Sequence, residues 1–415
     1  MLIIQKFGGS SLADNKCIQN VARIIEETYK KGQQTVVVLS AQGDTTDDLI
    51  KKALGLTGNP DKRELDRLLS TGEQVSVALM AIKLTSLGLP VISLGALQAG
   101  IHTTADYGNA KILHVETARI VMELNLGKIV LVAGFQGVNV YGDITTLGRG
   151  GSDTTAVALA VALDADVCDI YTDVDGIYAA DPRLIKTAKR LCEVGYPDML
   201  AMSVQANKVL HNRAVELGME YGVNLRVRSS FLDGAGTRLV PAANFVPKKY
   251  EEGNCMEKSS VAGVSVDKNV YLINLMLTEN AKPYEVLRQM AELNINLDII
   301  SQIKHCDRTL QLSFTIGKQD GARGIDALNS MKSKYGINNI TSDNGLSKIS
   351  IMGAGMAAEP GIAARFMEII HECGGEIQVV ATSEATVSVL IQAELGEKIA
   401  YETVKCFGLA KCVDN

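Results

Sequence analysis

The stretch Leu147-Gly148-Arg149-Gly150-Gly151-Ser152-Asp153-Thr154-Thr155 runs directly into Ala156-Val157-Ala158-Leu159-Ala160-Val161-Ala162-Leu163. The second half has almost nothing polar to place in water, so it predicts a helix buried on all sides. The first half is a glycine-dense turn. A helix entered through such a turn points free backbone N–H groups and the positive end of its dipole at whatever lies ahead. Ser152 or Asp153 is expected to serve as the N-cap. Arg149 decides the reading, because a cation beside a helix N-terminus is favourable only where it faces an anion. The stretch predicts an anion site in which Arg149, Ser152 and Asp153 face a phosphate or a carboxylate.

Upstream, Leu2-Ile3-Ile4-Gln5 predicts a short buried strand, followed by Lys6-Phe7-Gly8-Gly9-Ser10-Ser11 and a helix from about Asn15 to Lys31 that Gly32 stops. Strand, Gly-Gly-Ser turn and helix make a second anion-cradling junction: the glycines allow close backbone approach and Lys6 supplies a point charge. It is not a Walker A loop, since G-x-x-x-x-G-K-[ST] occurs nowhere. Thr35 to Ser40 reads as a buried parallel strand that ends at Ala41-Gln42-Gly43-Asp44-Thr45-Thr46-Asp47. A helical region from Lys62 to Leu87 carries Ser70-Thr71-Gly72-Glu73-Gln74, where Glu73 stands at the edge of the core. Pro90 to Leu94 is expected to be a strand, Ala110 to Leu124 a helix, and Ile129 to Ala133 a strand.

Downstream, Asp166 to Tyr171 predicts a strand leading to Thr172-Asp173-Val174-Asp175-Gly176-Ile177-Tyr178-Ala179-Ala180-Asp181-Pro182-Arg183. Hydroxyls, three carboxylates and an arginine gather at the C-terminal end of a buried strand, which is where open α/β sheets bind ligands. That favours a nucleotide or Mg²⁺ role over plain turn chemistry. A helix with Met199, Ala206 and Leu210 on its apolar side is expected to carry Lys208, and Leu225 to Ser229 to be the last strand before a Gly/Pro/Asn-rich segment, 233–247. Strands and helices alternate throughout, which implies an α/β fold with a mostly parallel sheet and helices on both faces.

Beyond a linker at 246–260 the pattern changes to short β-α-β-β-α units and repeats. Asn269 to Leu277, Pro283 to Leu293 and Asp298 to Gln302 match Lys348 to Met352, Pro360 to Cys373 and Ile377 to Ala381, at an offset of roughly 80 residues that suits two small domains. Gly353-Ala354-Gly355-Met356-Ala357-Ala358 fits a dinucleotide fingerprint, but Glu359-Pro360 starts the next helix after the loop, which argues against that reading.

Composition narrows the classes. The 415 residues suggest two or three domains; 47% hydrophobic and 21% charged residues are ordinary for a globular chain. A net charge of −6 without a basic run argues against nucleic acid. No apolar run reaches membrane-span length and no signal sequence is read at the N-terminus, so no membrane partner and a cytoplasmic location are expected. The eight cysteines form no C-x-x-C pair and are expected to be reduced, and five scattered histidines offer no zinc spacing, so no protein-built metal site is expected.

Lys6-Phe7-Gly8-Gly9-Ser10, Ser70-Thr71-Gly72-Glu73, Gly148 to Asp153, Thr172 to Tyr178, and Lys208-Val209-Leu210-His211 with Arg213 resemble the signatures of aspartate kinases, and the two C-terminal repeats resemble that family's tandem ACT domains. The resemblance covers essentially the whole chain. It implies an amino acid kinase-type three-layer α/β/α open sheet at 1–245, a linker at 246–260, and ferredoxin-like ACT domains at 261–340 and 341–415. It implies MgATP-dependent phosphorylation of L-aspartate to 4-phospho-L-aspartate, with Mg²⁺ held mainly through ATP phosphates. Lys6, Asp153 and Lys208 would be catalytic; Thr46, Glu73, Arg149 and Ser152 would hold aspartate. Lys6, Phe7, Gly8, Gly9, Ser40, Thr172, Asp173, Tyr178, Arg183, Asn207 and Lys208 would bind ATP. Asn296, Leu297, Gln302, Gly361 and Ile377 would meet an amino-acid effector, and the ACT domains would pair chains into a homodimer or larger assembly.

The chain departs from the family pattern at Ala206-Asn207, where Gly-Ala/Ser is usual; at Asn212, for Pro; at Thr278-Glu279-Asn280-Ala281, for Asp-Lys-Pro-Gly; and at Glu376, for Asn. The last two bear on which effector is bound. Two other readings remain at this stage: a catalytically weak amino-acid sensor, and a kinase of a related amino acid such as glutamate. Met256 precedes the ACT region, where some relatives begin a separate regulatory subunit.

Overall fold

A computed structural model describes residues 1–205, 209–240, 260–306 and 309–410. Ala206, Asn207, Lys208, Met256 and all but the last residue of the expected linker lie outside the described residues. The chain divides into two compact units: residues 1–178 with 190–240, and residues 179–189 with 260–410.

The first unit opens with β1 (Leu2–Phe7), α1 (Asn15–Lys30), β2 (Gln34–Leu39), α2 (Thr45–Leu56), α3 (Lys62–Ser86), β3 (Val91–Leu94), β4 (Ile101–Thr103), β5 (Ile112–Val115) and α4 (Ala118–Asn125). It continues through β6 (Ile129–Ala133), β7 (Gln136–Val138), β8 (Ile144–Thr146), α5 (Gly151–Ala162), β9 (Val167–Thr172), β10 (Glu193–Gly195), α6 (Tyr196–Gln205), α7 (Asn212–Glu220), β11 (Leu225–Ser229) and β12 (Thr237–Val240). Eight strands form one sheet, ordered β10-β12-β11-β9-β1-β2-β6-β3. Only the β11–β12 pairing is antiparallel. The near-continuous Val/Ile/Leu runs of β2 and β6 are what strands covered on both faces require. Side chains alternate across β1. Phe7 enters the core built by α1 and α3 with Ile18, Val21, Met80 and Leu84; Lys6 points to the opposite face, where α5 is buried from Gly151 to Ala160.

Two expectations are corrected here and a third is refined. Ala110 to Leu124 is not one helix: Ile112–Val115 pairs antiparallel with β4, with the His102 and His114 rings stacked 4.4 Å apart, and α4 starts only at Ala118. A tertiary partner overrides local helical periodicity. The helix expected to join Met199 to Leu210 does not include Leu210: it is described as far as Gln205, and Leu210 lies in a bend that precedes α7. Leu225–Ser229 is the last strand before residue 233, but the Gly/Pro/Asn-rich segment itself carries a strand: Gly236 (φ 71°) turns the chain back so that β12 pairs with β11.

The second unit contains β13 (Gly263–Asp267), β14 (Tyr271–Leu277), α8 (Pro283–Glu292), β15 (Ile300–Lys304), β16 (Leu310–Ile316), α9 (Gly321–Tyr335), β17 (Ile337–Asp343), β18 (Leu346–Met352), α10 (Ile362–Glu372), β19 (Val379–Thr382), β20 (Thr386–Gln392) and α11 (Gly396–Cys406). Its two antiparallel sheets, β15-β16-β14-β17 and β13-β18-β20-β19, share the ferredoxin-like strand order. β13, which precedes the first module in sequence, completes the sheet of the second. Val270, Leu272, Ile299, Leu346 and Leu390 pack the two modules together.

Candidate active site

The turn from β8 into α5 is set by its glycines. Gly148 and Gly150 have φ of 77° and 68°, a region that costs an ordinary L-residue roughly 1–2 kcal/mol. A Cβ on Gly150 would also lie 2.1 Å from the His211 ring. Gly150 is the N-cap of α5 and no side chain caps the helix, so Ser152 and Asp153 are not caps, contrary to expectation. Backbone bonds close the turn instead, from Gly151 N–H to the Gly148 carbonyl (3.0 Å) and from Thr154 N–H to the Gly150 carbonyl (3.2 Å). Ser152 and Asp153 are left in the first turn, lining a cleft of about 590 Å³ at the positive end of the helix.

The same cleft collects Lys6, Gly9, Ser40, Thr46, Glu73 and Arg149. Lys6 Nζ lies 2.7 Å from Asp153 Oδ1, with the residues 9% and 7% exposed. This buried ion pair fixes the lysine head at the mouth of two glycine turns. Gly9 is required by close approach: its Cβ would come within 2.9 Å of the Ala41 carbonyl oxygen. Glu73, 3% exposed on α3, accepts from Ala41 N–H through Oε1 at 3.1 Å, while Oε2 has no hydrogen-bond partner among the described residues. Burial pushes its carboxyl up to about 7. A carboxylate so placed is poised to accept a cation. Arg149 lies exposed at the cleft and makes no salt bridge among the described residues.

Other expected site residues lie elsewhere. The Phe7 side chain is core, stacked on Tyr171 at 4.5 Å, and only its carbonyl, which accepts from Ser40 N–H, borders the junction. Gly8 N–H donates to the Tyr171 carbonyl at 3.4 Å. Thr172 ends β9 with its hydroxyl accepting from Val174 N–H, Asp173 is exposed, and Tyr178 donates its hydroxyl to Asp175 at 2.8 Å. Arg183 belongs to residues 179–189 of the second unit and pairs with Asp181 at 2.7 Å. In that unit Asn296 and Leu297 precede β15 and Gln302 lies on it; Gly361, in the left-handed region, caps α10, and Ile377 precedes β19.

Phe135 and Asp66 are among the cleft residues that escaped the sequence reading. Phe135 holds a left-handed φ of 67° between β6 and β7, a strain of the kind that gathers at functional sites. Asp66, one turn before Ser70 on α3, is fully buried there; its only sequence signal is an acid on the apolar side of a helix.

Residues 1–229 match the amino acid kinase family model, and residues 349–400 match an ACT domain model. The chain is 43% identical to an aspartokinase of Mycolicibacterium smegmatis over 98% of its own length and 96% of that protein's. The solved aspartate kinase of Synechocystis is 38% identical, with a TM-score of 0.54 over 98% of this chain and 70% of that one. Escherichia coli aspartokinase III, solved in complex with lysine and aspartate, shares the fold with a TM-score of 0.77 at 22% identity, over 98% of this chain and 99% of that one.

Proposed function

The chain belongs to the aspartokinase family, and from that premise we infer that it transfers the γ-phosphoryl of ATP to the β-carboxylate of L-aspartate, giving 4-phospho-L-aspartate on the way to lysine, threonine and methionine. One observation carries the reading: a single cleft sets the half-answered carboxylate of Glu73 and the free-ended Arg149 around a Lys6–Asp153 pair. Those charges complement an amino acid with an ammonium, an α-carboxylate and a second carboxylate.

Glu73 Oε2 takes the ammonium, Arg149 the α-carboxylate through its fork, and Thr46 and Ser152 complete the pocket. The β-carboxylate is already a nucleophile at neutral pH. One of its oxygens bonds to the γ-phosphorus as the bond to the ADP oxygen breaks, and no proton moves. The protein's work is therefore placement and charge. Lys6, held by Asp153, meets the transferring phosphoryl together with Lys208, while Gly8, Gly9, the Phe7 backbone, Ser40, Thr172, Asp173, Tyr178, Arg183 and Asn207 bind ATP. Mg²⁺ would be held by the nucleotide's phosphate oxygens and water, where it would screen the phosphate charge. Among the described residues no cluster of His, Cys, Asp or Glu could hold a metal ion.

Residues 1–245 form the catalytic domain, 246–260 a linker, and 261–340 and 341–415 the two ACT domains, which bind an amino-acid effector through Asn296, Leu297, Gln302, Gly361 and Ile377 and pair chains into a homodimer or larger assembly. No helix among the described residues is long and apolar enough to cross a membrane, and we place the enzyme in the cytoplasm. The test is ATP turnover with hydroxylamine trapping of the acyl phosphate. Hydroxamate from aspartate but not glutamate is expected. Measurable amino-acid binding with no hydroxamate would overturn the assignment.

A further inference from the structure

The turn that carries Arg149 stands on two short backbone segments, residues 108–110 and 146–147. One backbone bond joins them, from Ala110 N–H to the Thr146 carbonyl at 2.9 Å. A charged side chain closes each end of this ladder. At one end Asp66 of α3, 1% exposed, accepts from Gly108 N–H (2.9 Å) and Thr146 N–H (2.8 Å) through Oδ2, and from the Thr146 hydroxyl (2.7 Å) through Oδ1. At the other end Arg213 of α7 donates to the Leu147 carbonyl (2.5 Å) and the Ala110 carbonyl (2.9 Å). The signs are complementary: the carboxylate gathers N–H dipoles from both segments, and the guanidinium gathers carbonyls from both. Gly148 follows at once and rests on the same footing, since a Cβ there would lie 3.1 Å from the Gly108 carbonyl oxygen and 3.2 Å from Asn109 Oδ1.

A buried carboxylate is costly unless its lone pairs are answered, and these are answered by backbone from two segments far apart in sequence. Charge-assisted bonds are shorter and stronger than neutral ones, so the footing is stiffer than a plain two-residue ladder. Both clamps act on the chain within three residues of Arg149. Neither acts on Lys6 or Asp153, which are anchored separately in β1 and α5.

We propose that Asp66 and Arg213 are positioning residues for the amino-acid substrate, locking the 146–148 backbone so that Arg149 presents its guanidinium to the α-carboxylate. The proposal rests on the reading of Arg149 as the ligand of that carboxylate. A loosened footing lets the arginine sample unproductive directions, which weakens aspartate binding and leaves nucleotide binding nearly intact.

Steady-state kinetics of the full-length protein test this. Asp66→Asn can keep an oxygen on both N–H groups, but it loses the charge that strengthens those bonds and turns an amide N–H₂ on the Thr146 hydroxyl, and is expected to raise the aspartate KM about tenfold while the ATP KM stays within about twofold. Arg213→Lys keeps the charge but reaches only one carbonyl, and shows the same split at smaller size. Thr146→Val removes only the hydroxyl donor and keeps the question answerable if Asp66→Asn does not fold. The deciding comparison is made in an Arg149→Gln background, where Asp66→Asn or Thr146→Val should change the aspartate KM by less than about twofold. An equal fold-change with and without Arg149, or parallel losses of aspartate and ATP affinity, would overturn the positioning role and leave the reading of Arg149 standing. An Arg149→Gln protein with an unchanged aspartate KM would remove that reading and this inference together.

Discussion

Glu73 is held at the cleft in a form that water alone does not favour. Its carboxyl is buried, one oxygen satisfied by the Ala41 amide and the other unanswered, and desolvation raises it from 4.5 to about 7. An incoming ammonium supplies the missing partner and returns the group to its ionised form. The aspartate KM should therefore fall about tenfold as pH rises from about 6 to about 8, tracking ionisation of a group near 7. Glu73→Gln should flatten this limb and raise the KM at pH 8 by about thirtyfold, the loss of a charge-assisted bond. A retained limb in that variant would point to another group. Folding carries the opposite sign: because the folded value exceeds the unfolded one, Glu73's contribution to stability without substrate is full below 4.5 and is lost as pH rises through about 7. Thermal melts with and without aspartate should diverge most above that pH. Residues of this kind were half legible in the sequence. Glu73 follows a Ser-Thr-Gly signature, and Arg149 stands in a glycine turn that only an anion explains. Asp66 stands in no motif, and Arg213 stands in one that does not tell its task, because their partners lie 80 and 66 residues away at Thr146 and Leu147.

Among the elements, the reading succeeded where periodicity and burial agree. The apolar run after Thr155 is a helix buried along almost its whole length, and the Val-rich run of β2 is a fully covered parallel strand. It failed where a segment takes its form from a partner: the four-residue strand β5 is set by its pairing with the three-residue β4, β12 by its place between β11 and β10, and the start of α5 by Gly150 against His211 rather than by a side-chain cap. That last contact gives a prediction. Gly150→Ala combines a left-handed residue with a Cβ only 2.1 Å from the His211 ring, so the β8–α5 turn must move and carry Arg149 with it. Activity should drop at least about a hundredfold, as expected when a binding group is displaced by an ångström. Adding His211→Gly removes both the ring and the His211 Cβ, which would lie 2.2 Å from the new methyl, but not the left-handed cost of roughly 1 kcal/mol, so it should restore part of the aspartate affinity and of the melting temperature. No recovery in the double variant would show that the backbone conformation alone controls the turn.

At the scale of the whole molecule, the chain does not pass from one unit to the next only once. Residues 179–189 leave the first unit after Tyr178, return at Arg190, and pack with the second. The neck of this excursion is an antiparallel bridge between Tyr178 and Arg190, and its body is tied down by Val264 N–H donating to the Ala179 carbonyl (2.7 Å), by Lys189 N–H donating to the Leu409 carbonyl (2.9 Å), and by a bridge from Ala188 to Ala410. No sequence periodicity could have marked this, since the segment reads as the continuation of the loop after β9. Val264→Pro isolates one tie. Val264 lies on β13, an edge strand, and directs its N–H away from β18, so proline there removes the bond to Ala179 and leaves the sheet ladder intact. In the full-length variant, amides of residues 179–189 should exchange with solvent about tenfold faster, while those of β1, β2 and β9 keep their protection. If Tyr178 and Arg183 serve the nucleotide, the ATP KM should rise with the exchange rate and the aspartate KM should not. Faster exchange with an unchanged ATP KM would remove both residues from the nucleotide site, and unchanged exchange would mean that the ties at Leu409 and Ala410 hold the excursion by themselves.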